Sequence, residues 1–83
     1  MNITIRRAAL QALHDASPSL VPDTTLRAVA RLSQTPAPTE TEISDEIAKM
    51  EQDQLMVSGR DELKTLRWLV TARGLAVAKS LGM

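Results

Sequence analysis

Apolar residues recur along the chain with two periods, and each period predicts a different kind of element. Over residues 3–14, Ile5, Ala9 and Leu13 are spaced by four, and Leu10 falls on the same face. That spacing is typical of an amphipathic helix with one buried stripe. The first element is therefore predicted to be a helix.

Proline and small polar residues divide the first half of the chain. Residues 15–18 should end the first helix, 20–22 should be a short extended stretch, and 33–38 should be a turn, because proline cannot donate a backbone hydrogen bond. A second helix is predicted to start near Asp23, whose carboxylate can cap it. Its apolar positions are Leu26, Val29, Ala30 and Leu32.

The third helix has the clearest predicted start. Residues 39–42, Thr-Glu-Thr-Glu, fit a capping box, in which Thr39 and Glu42 satisfy each other's free backbone N–H groups. The helix should run to about Asp53. Its buried face is predicted to carry Ile43, Ile47 and Met50.

After the third helix the period falls to two. Residues 55–58 and 66–70 are predicted to be antiparallel strands joined by a polar turn at 59–62. Thr71 should then cap a fourth helix. Gly74, in its first turns, indicates a close contact between that helix and a strand. The candidate packing positions of this helix are Leu75, Val77, Ala78 and Leu81.

The core must be built almost without aromatic residues, since Trp68 is the one aromatic side chain. Trp68 is predicted to be buried, although stacking on a base or anchoring a partner is the alternative. Strand alternation would leave Met56 and Leu69 on the opposite face as a candidate partner seam. The predicted core comprises Ile5, Leu10, Leu13, Leu26, Val29, Ile43, Ile47, Met50, Leu55, Val57, Leu66, Trp68 and Val70.

Composition narrows the function classes. Eighty-three residues suit a single domain, and the absence of cysteine excludes a disulfide scaffold or a thiolate metal site. His14 is the sole histidine and is expected to be a helix-end or solvated side chain. We expect no enzyme, no metal and no cofactor. Because the sequence contains no apolar run of membrane-spanning length and no apolar leader, a cytoplasmic protein without a membrane partner is expected.

The order of predicted elements resembles a winged helix-turn-helix domain across residues 1–83. Residues 43–51, with the apolar pair at 55–56, resemble the third helix and following strand of that family. Residues 69–74, Leu-Val-Thr-Ala-Arg-Gly, are similar to the Leu-Thr-x-x-Gly that ends the wing. The resemblance implies one mainly α domain of the α+β class, with a three-helix core, a small β-hairpin wing and a C-terminal helix. Gln54 departs from the family pattern, because a glycine usually occupies its position in a left-handed conformation.

Charge is distributed unevenly along a chain whose net charge is zero. Residues 36–53 carry six acidic side chains against Lys49, a local charge of −5. Residues 57–83 carry five basic and two acidic side chains, a local charge of +3. Residues 1–35 carry four basic and two acidic side chains, a local charge of +2. Phosphate would repel such a third helix. The spacing of Asp45 and Lys49 favours a surface ion pair, and Asp45 and Glu46 are expected on a solvated face.

Two functions therefore remain open. The first is a small DNA-binding regulator of transcription or accessory protein, possible as a homodimer, contacting DNA mainly through the basic wing. Its candidate DNA-binding residues are Arg60, Lys64, Arg67, Ser44 and Lys49. The alternative is a protein-interaction module that docks a basic partner on the acidic third helix. Its candidate partner-binding residues are Asp45, Glu46, Met56 and Leu69.

Overall fold

The computed structural model describes residues 2–83, which form four helices and one three-stranded antiparallel sheet. The predicted α+β class is therefore confirmed. None of the helices in this part of the chain is long and apolar enough to cross a membrane. In chain order the elements are α1 (Ile3–Ala16), β1 (Val21–Pro22), α2 (Asp23–Arg31), α3 (Glu40–Gln52), β2 (Met56–Arg60), β3 (Leu66–Val70) and α4 (Ala72–Ser80).

Strand β3 lies at the centre of the sheet, in the order β1-β3-β2. The predicted hairpin is present, with Met56 opposite Val70. The short extended stretch is the third strand, because Val21 pairs with Trp68. This long-range pairing joins the α1–α2 connection to the hairpin, a contact that local sequence patterns do not specify.

Side-chain caps define three helix starts. The Thr39 hydroxyl accepts from the Glu42 N–H at 3.1 Å, and the Glu42 carboxylate accepts from the Thr39 N–H at 3.3 Å, which confirms the capping box. Thr71 caps α4 by accepting from the Gly74 N–H at 2.9 Å. Asn2 caps α1 in the same manner.

The predicted cap of α2 is wrong. Asp23 is already the first helical residue, and Pro22 precedes it without a side-chain cap. The Asp23 carboxylate instead accepts from Trp68 Nε1 at 2.9 Å and from Arg27 Nε at 2.8 Å. Asp23 therefore stabilises a tertiary contact, because it accepts a hydrogen bond from the indole N–H of Trp68. The Trp68 side chain is buried, as predicted.

The core lies between α1, the other helices and one face of the sheet. Most predicted core residues are buried, but Val29 and Leu66 are half-buried and Val57 is 50% exposed. Leu75, predicted to pack, is exposed on α4. The buried apolar residues are Ile5, Ala9, Leu10, Leu13, Val21, Leu26, Ala30, Ile43, Ile47, Met50, Leu55, Met56, Trp68, Val70 and Ala78.

The predicted partner seam is corrected by the strand register. Met56 is completely buried, and Val57 is the residue opposite Leu69. Leu55 precedes the strand, in the turn after Gln54, so alternation begins at Met56 and its phase shifts by one residue. The strand also continues to Arg60, and the turn lies at 61–65 rather than at 59–62.

The connection after α3 explains Gln54 and Gly74. Gln54 has φ +62°, the left-handed conformation in which the winged-helix pattern has glycine. Leu55 then passes directly under α4. A side chain at Gly74 would overlap the Leu55 carbonyl oxygen and approach Val70 Cγ2 to 2.7 Å. The expected close contact at Gly74 is therefore confirmed.

Candidate functional site

Glu46 of α3 is an interior residue. Its side chain is 2% exposed, one carboxylate oxygen accepts from Arg6 Nε at 2.7 Å, and the other accepts from the Asn2 backbone N–H at 2.6 Å. The expectation that Glu46 lies on a solvated face is wrong. It is three residues after Ile43 and four before Met50, so it falls on the buried stripe, a spacing that could have identified it.

Arginines of α1 and α2 also contact two other acidic side chains of residues 36–53. Arg6 Nη1 lies 3.2 Å from the Asp53 carboxylate. Arg31 Nε donates to Glu40 at 3.0 Å, and Arg27 Nη1 lies 3.7 Å from the same carboxylate. Arginines from outside the segment thus contact three of its six acidic side chains, Glu40, Glu46 and Asp53, which the linear sequence does not reveal.

The exposed face of α3 stays mainly acidic, with Glu42, Asp45 and Glu51 against Lys49. Asp45 and Lys49 both face solvent, and within residues 2–83 no ion pair joins them, contrary to the expectation from their spacing. Ser44 is half-buried, and its hydroxyl accepts from Arg27 Nη1 at 2.9 Å. Of the two candidate DNA contacts on α3, Ser44 and Lys49, only Lys49 is exposed.

The turn of the hairpin is organised by one carboxylate. Asp61 Oδ1 accepts from the backbone N–H groups of Leu63 and Thr65 at 2.9 and 3.0 Å, while Oδ2 accepts from Arg67 Nε at 2.9 Å. The backbone hydrogen bond from Thr65, followed by that from Arg67, lowers the pKa of Asp61 below its ordinary value of 3.8. Arg67 therefore fixes the turn from a half-buried position.

Arg60 and Lys64 are the free cations of the hairpin. Arg60 Nη1 donates to the Lys64 carbonyl at 2.8 Å, so the two residues lie side by side across the turn. In the described part of the chain neither has a carboxylate within ion-pair distance. Leu63, at the tip, is 86% exposed. The structure thus brings two of the three candidate wing cations to one exposed surface.

The two sets of candidate residues predicted from the sequence differ in exposure. Arg60, Lys64 and Lys49 are exposed, while Arg67 and Ser44 are tied to neighbours. In the alternative set, Glu46 and Met56 are interior, Leu69 is half-buried and Asp45 alone is exposed.

His14 is exposed at the end of α1, and its Nδ1 lies 3.4 Å from the Asp15 carboxylate. Across residues 2–83, no three His, Cys, Asp or Glu side chains gather as a metal-binding group would require.

Comparison with known proteins gives no relative. A scan against protein-family models, a search of curated proteins and a search of solved structures each returned no match for this chain.

Proposed function

We propose that the chain is a small winged-helix DNA-binding regulator or accessory protein that contacts DNA mainly through Arg60 and Lys64 of the hairpin. The observation that carries the proposal is a contrast in pairing. Two acidic side chains of α3, Glu40 and Glu46, are engaged by arginines, whereas these two cations are exposed and without carboxylate partners among the described residues.

The arrangement of elements supports a winged-helix frame. The order α1-β1-α2-α3-β2-β3 is the one expected from the resemblance, with the hairpin directly after α3. The Ser58 hydroxyl also donates to the Glu51 carboxylate at 3.2 Å, so β2 is held beside α3. A duplex lying against Lys49 on α3 would then have the hairpin within reach of its backbone.

Charge pairing reduces the main objection to DNA binding, which is repulsion by α3. Arg6 offsets Glu46, and Arg31 with Arg27 offsets Glu40, at short range, where salt screens little. Arg60 and Lys64 can in turn contact phosphates, which supplies affinity without sequence readout. The alternative, docking of a basic protein on α3, loses the buried residues Glu46 and Met56 and retains Asp45.

The test compares two variants of equal charge. Arg60→Ala with Lys64→Ala removes the two exposed cations of the hairpin, and Arg73→Ala with Lys79→Ala removes two exposed cations from α4. Binding to a random-sequence duplex is measured by fluorescence anisotropy over a series of salt concentrations. The hairpin variant should bind more weakly, with a slope of log affinity against log salt shallower by up to about 0.9 per lost phosphate contact.

The α4 variant should bind close to wild type, since its charges lie outside the proposed surface. If both variants lost the same amount of duplex affinity, the interaction would be non-specific attraction between charges and the proposed hairpin contact would be wrong. Wild-type binding no tighter than that of an unrelated neutral protein would overturn the proposal. Arg67 is retained in these variants because its removal would also release Asp61 and unsettle the turn.

A further inference from the structure

A shallow groove runs along the outer face of α1, between that helix and the end of α2. Its two halves measure about 430 and 440 Å³ and share Ala8, Gln11 and Ser33. The half next to α2 is lined by the small or apolar side chains Ala8, Ala12 and Val29. Leu32, at the edge of this half, is 87% exposed. Covering so exposed a leucine with a second surface removes apolar area from water, which favours association.

The ends of the groove carry opposite charges. Arg7 lines one half and Asp15 the other. Within residues 2–83, Arg7 has no ion-pair partner, and Asp15 is approached by Gln11 Nε2 and the His14 ring rather than by Lys or Arg. Eight residues of helix place the two charges about 12 Å apart along the axis. They cannot neutralise each other within one chain.

This surface is complementary to itself. Gln11 lies four residues from Arg7 and four from Asp15, so a two-fold axis through Gln11 superimposes each charge on its opposite. An antiparallel second α1 would place Arg7 against Asp15 of the partner subunit, and the same contact would occur a second time by symmetry. The small side chain of Ala8 permits close approach of the two helices.

We propose that the groove is the interface of a homodimer, in which α1 of a second copy of this chain packs antiparallel about Gln11. The two Arg7–Asp15 contacts set the register, and Leu32 supplies apolar burial. This inference does not depend on DNA binding, because it concerns a face formed by α1 and α2 rather than the hairpin.

Charge reversal provides the test. Arg7→Glu alone and Asp15→Arg alone each place like charges together twice in a homodimer, so sedimentation equilibrium should show at least about a tenfold weaker association than wild type. An equimolar mixture of the two variants restores both opposite-charge contacts. The mixture should therefore associate as heterodimers with an affinity near that of wild type, although neither variant does so alone.

Two further variants separate the interface from folding. Leu32→Ser should weaken association while leaving the circular dichroism spectrum and unfolding midpoint unchanged, because Leu32 makes little contact with its own chain. Leu63→Ser, an equally exposed leucine on the hairpin, should associate like wild type. A wild-type chain that remains monomeric into the millimolar range would overturn the proposal. So would variants that fail to recover on mixing.

Discussion

Helix α3 and the β2–β3 hairpin hold their charges in opposite ways. Two acidic side chains of α3 are paired within the chain: Glu46 with Arg6, and Glu40 with Arg31 and Arg27. The cations Arg60 and Lys64 of the hairpin remain in solvent. Along the sequence, residues 36–53 are more highly charged than the hairpin. Part of that charge is already paired with arginines of the same chain and is not available to a partner.

The difference shows that segment charge and surface charge are separate quantities. Pairing depends on which elements pack together, and α1 and α2 pack against α3 through contacts more than ten residues apart in sequence. A carboxylate engaged by an arginine contributes little to the long-range field. A free cation on an exposed turn contributes fully, apart from screening by salt.

The largest effect is expected from removing the buried charge of α1. Arg6→Met keeps an elongated side chain but leaves the buried Glu46 carboxyl group with only the Asn2 N–H as a hydrogen-bond donor. The free energy of unfolding should fall by about 3–5 kcal/mol. Urea denaturation followed by circular dichroism measures it.

A matched control is Arg73→Met, which alters an exposed arginine of α4 and should change stability by no more than about 0.5 kcal/mol. The double variant Arg6→Met with Glu46→Gln removes both charges, so it should recover at least about 1 kcal/mol relative to Arg6→Met alone. If the two substitutions are simply additive, the contact between Arg6 and Glu46 is not energetically coupled, and the contrast between the two regions fails.

Local patterns predicted the elements better than the contacts between them. The capping box at Thr39, the helix start at Thr71 and the strand at 66–70 all follow from neighbours in sequence, and all are present. The exposed cations Arg60 and Lys64 were likewise identifiable from a polar turn.

Long-range features escaped prediction for physical reasons. Asp23 bonds Trp68, forty-five residues away, instead of capping its own helix. The phase of β2 depends on where the Gln54 turn ends, and a shift of one residue exchanged Met56 and Val57 between the two faces. The burial of Glu46 requires Arg6 on another helix, and no pattern within α3 indicates that partner.

A smaller loss of stability should follow removal of the α3 cap. Thr39→Ala deletes the hydroxyl that accepts from the Glu42 N–H, and the free energy of unfolding should fall by about 1 kcal/mol without change of fold. Thr39→Ser keeps the acceptor and serves as the control, with stability close to wild type. Equal losses in Ala and Ser variants would assign the effect to the lost methyl group instead.

The hairpin should respond to acid through Asp61. Because hydrogen bonds lower the pKa of Asp61 in the folded state below 3.8, its contribution to turn order is fully present above that value and is lost as pH falls through the lowered pKa. Amide hydrogen exchange at Leu63 and Thr65 should accelerate in that range relative to exchange at Ile47. Asp61→Asn should remove the pH dependence; its persistence in that variant would show that another group controls the turn.

The smallest effect separates the exposed charges of α3 from its engaged ones. If DNA passes close to α3, Asp45→Asn removes one repulsive charge and should strengthen duplex binding about twofold to fivefold at low salt. Lys49→Gln, one turn further along the same face, should weaken binding by a similar factor. Fluorescence anisotropy at low and high salt measures both, and the two differences should shrink together as salt rises.

An unchanged affinity in both variants would place α3 away from the DNA and leave the hairpin as the whole contact. A gain in affinity from Lys49→Gln would contradict the proposed orientation, because a cation on a DNA-facing helix cannot oppose binding to phosphate.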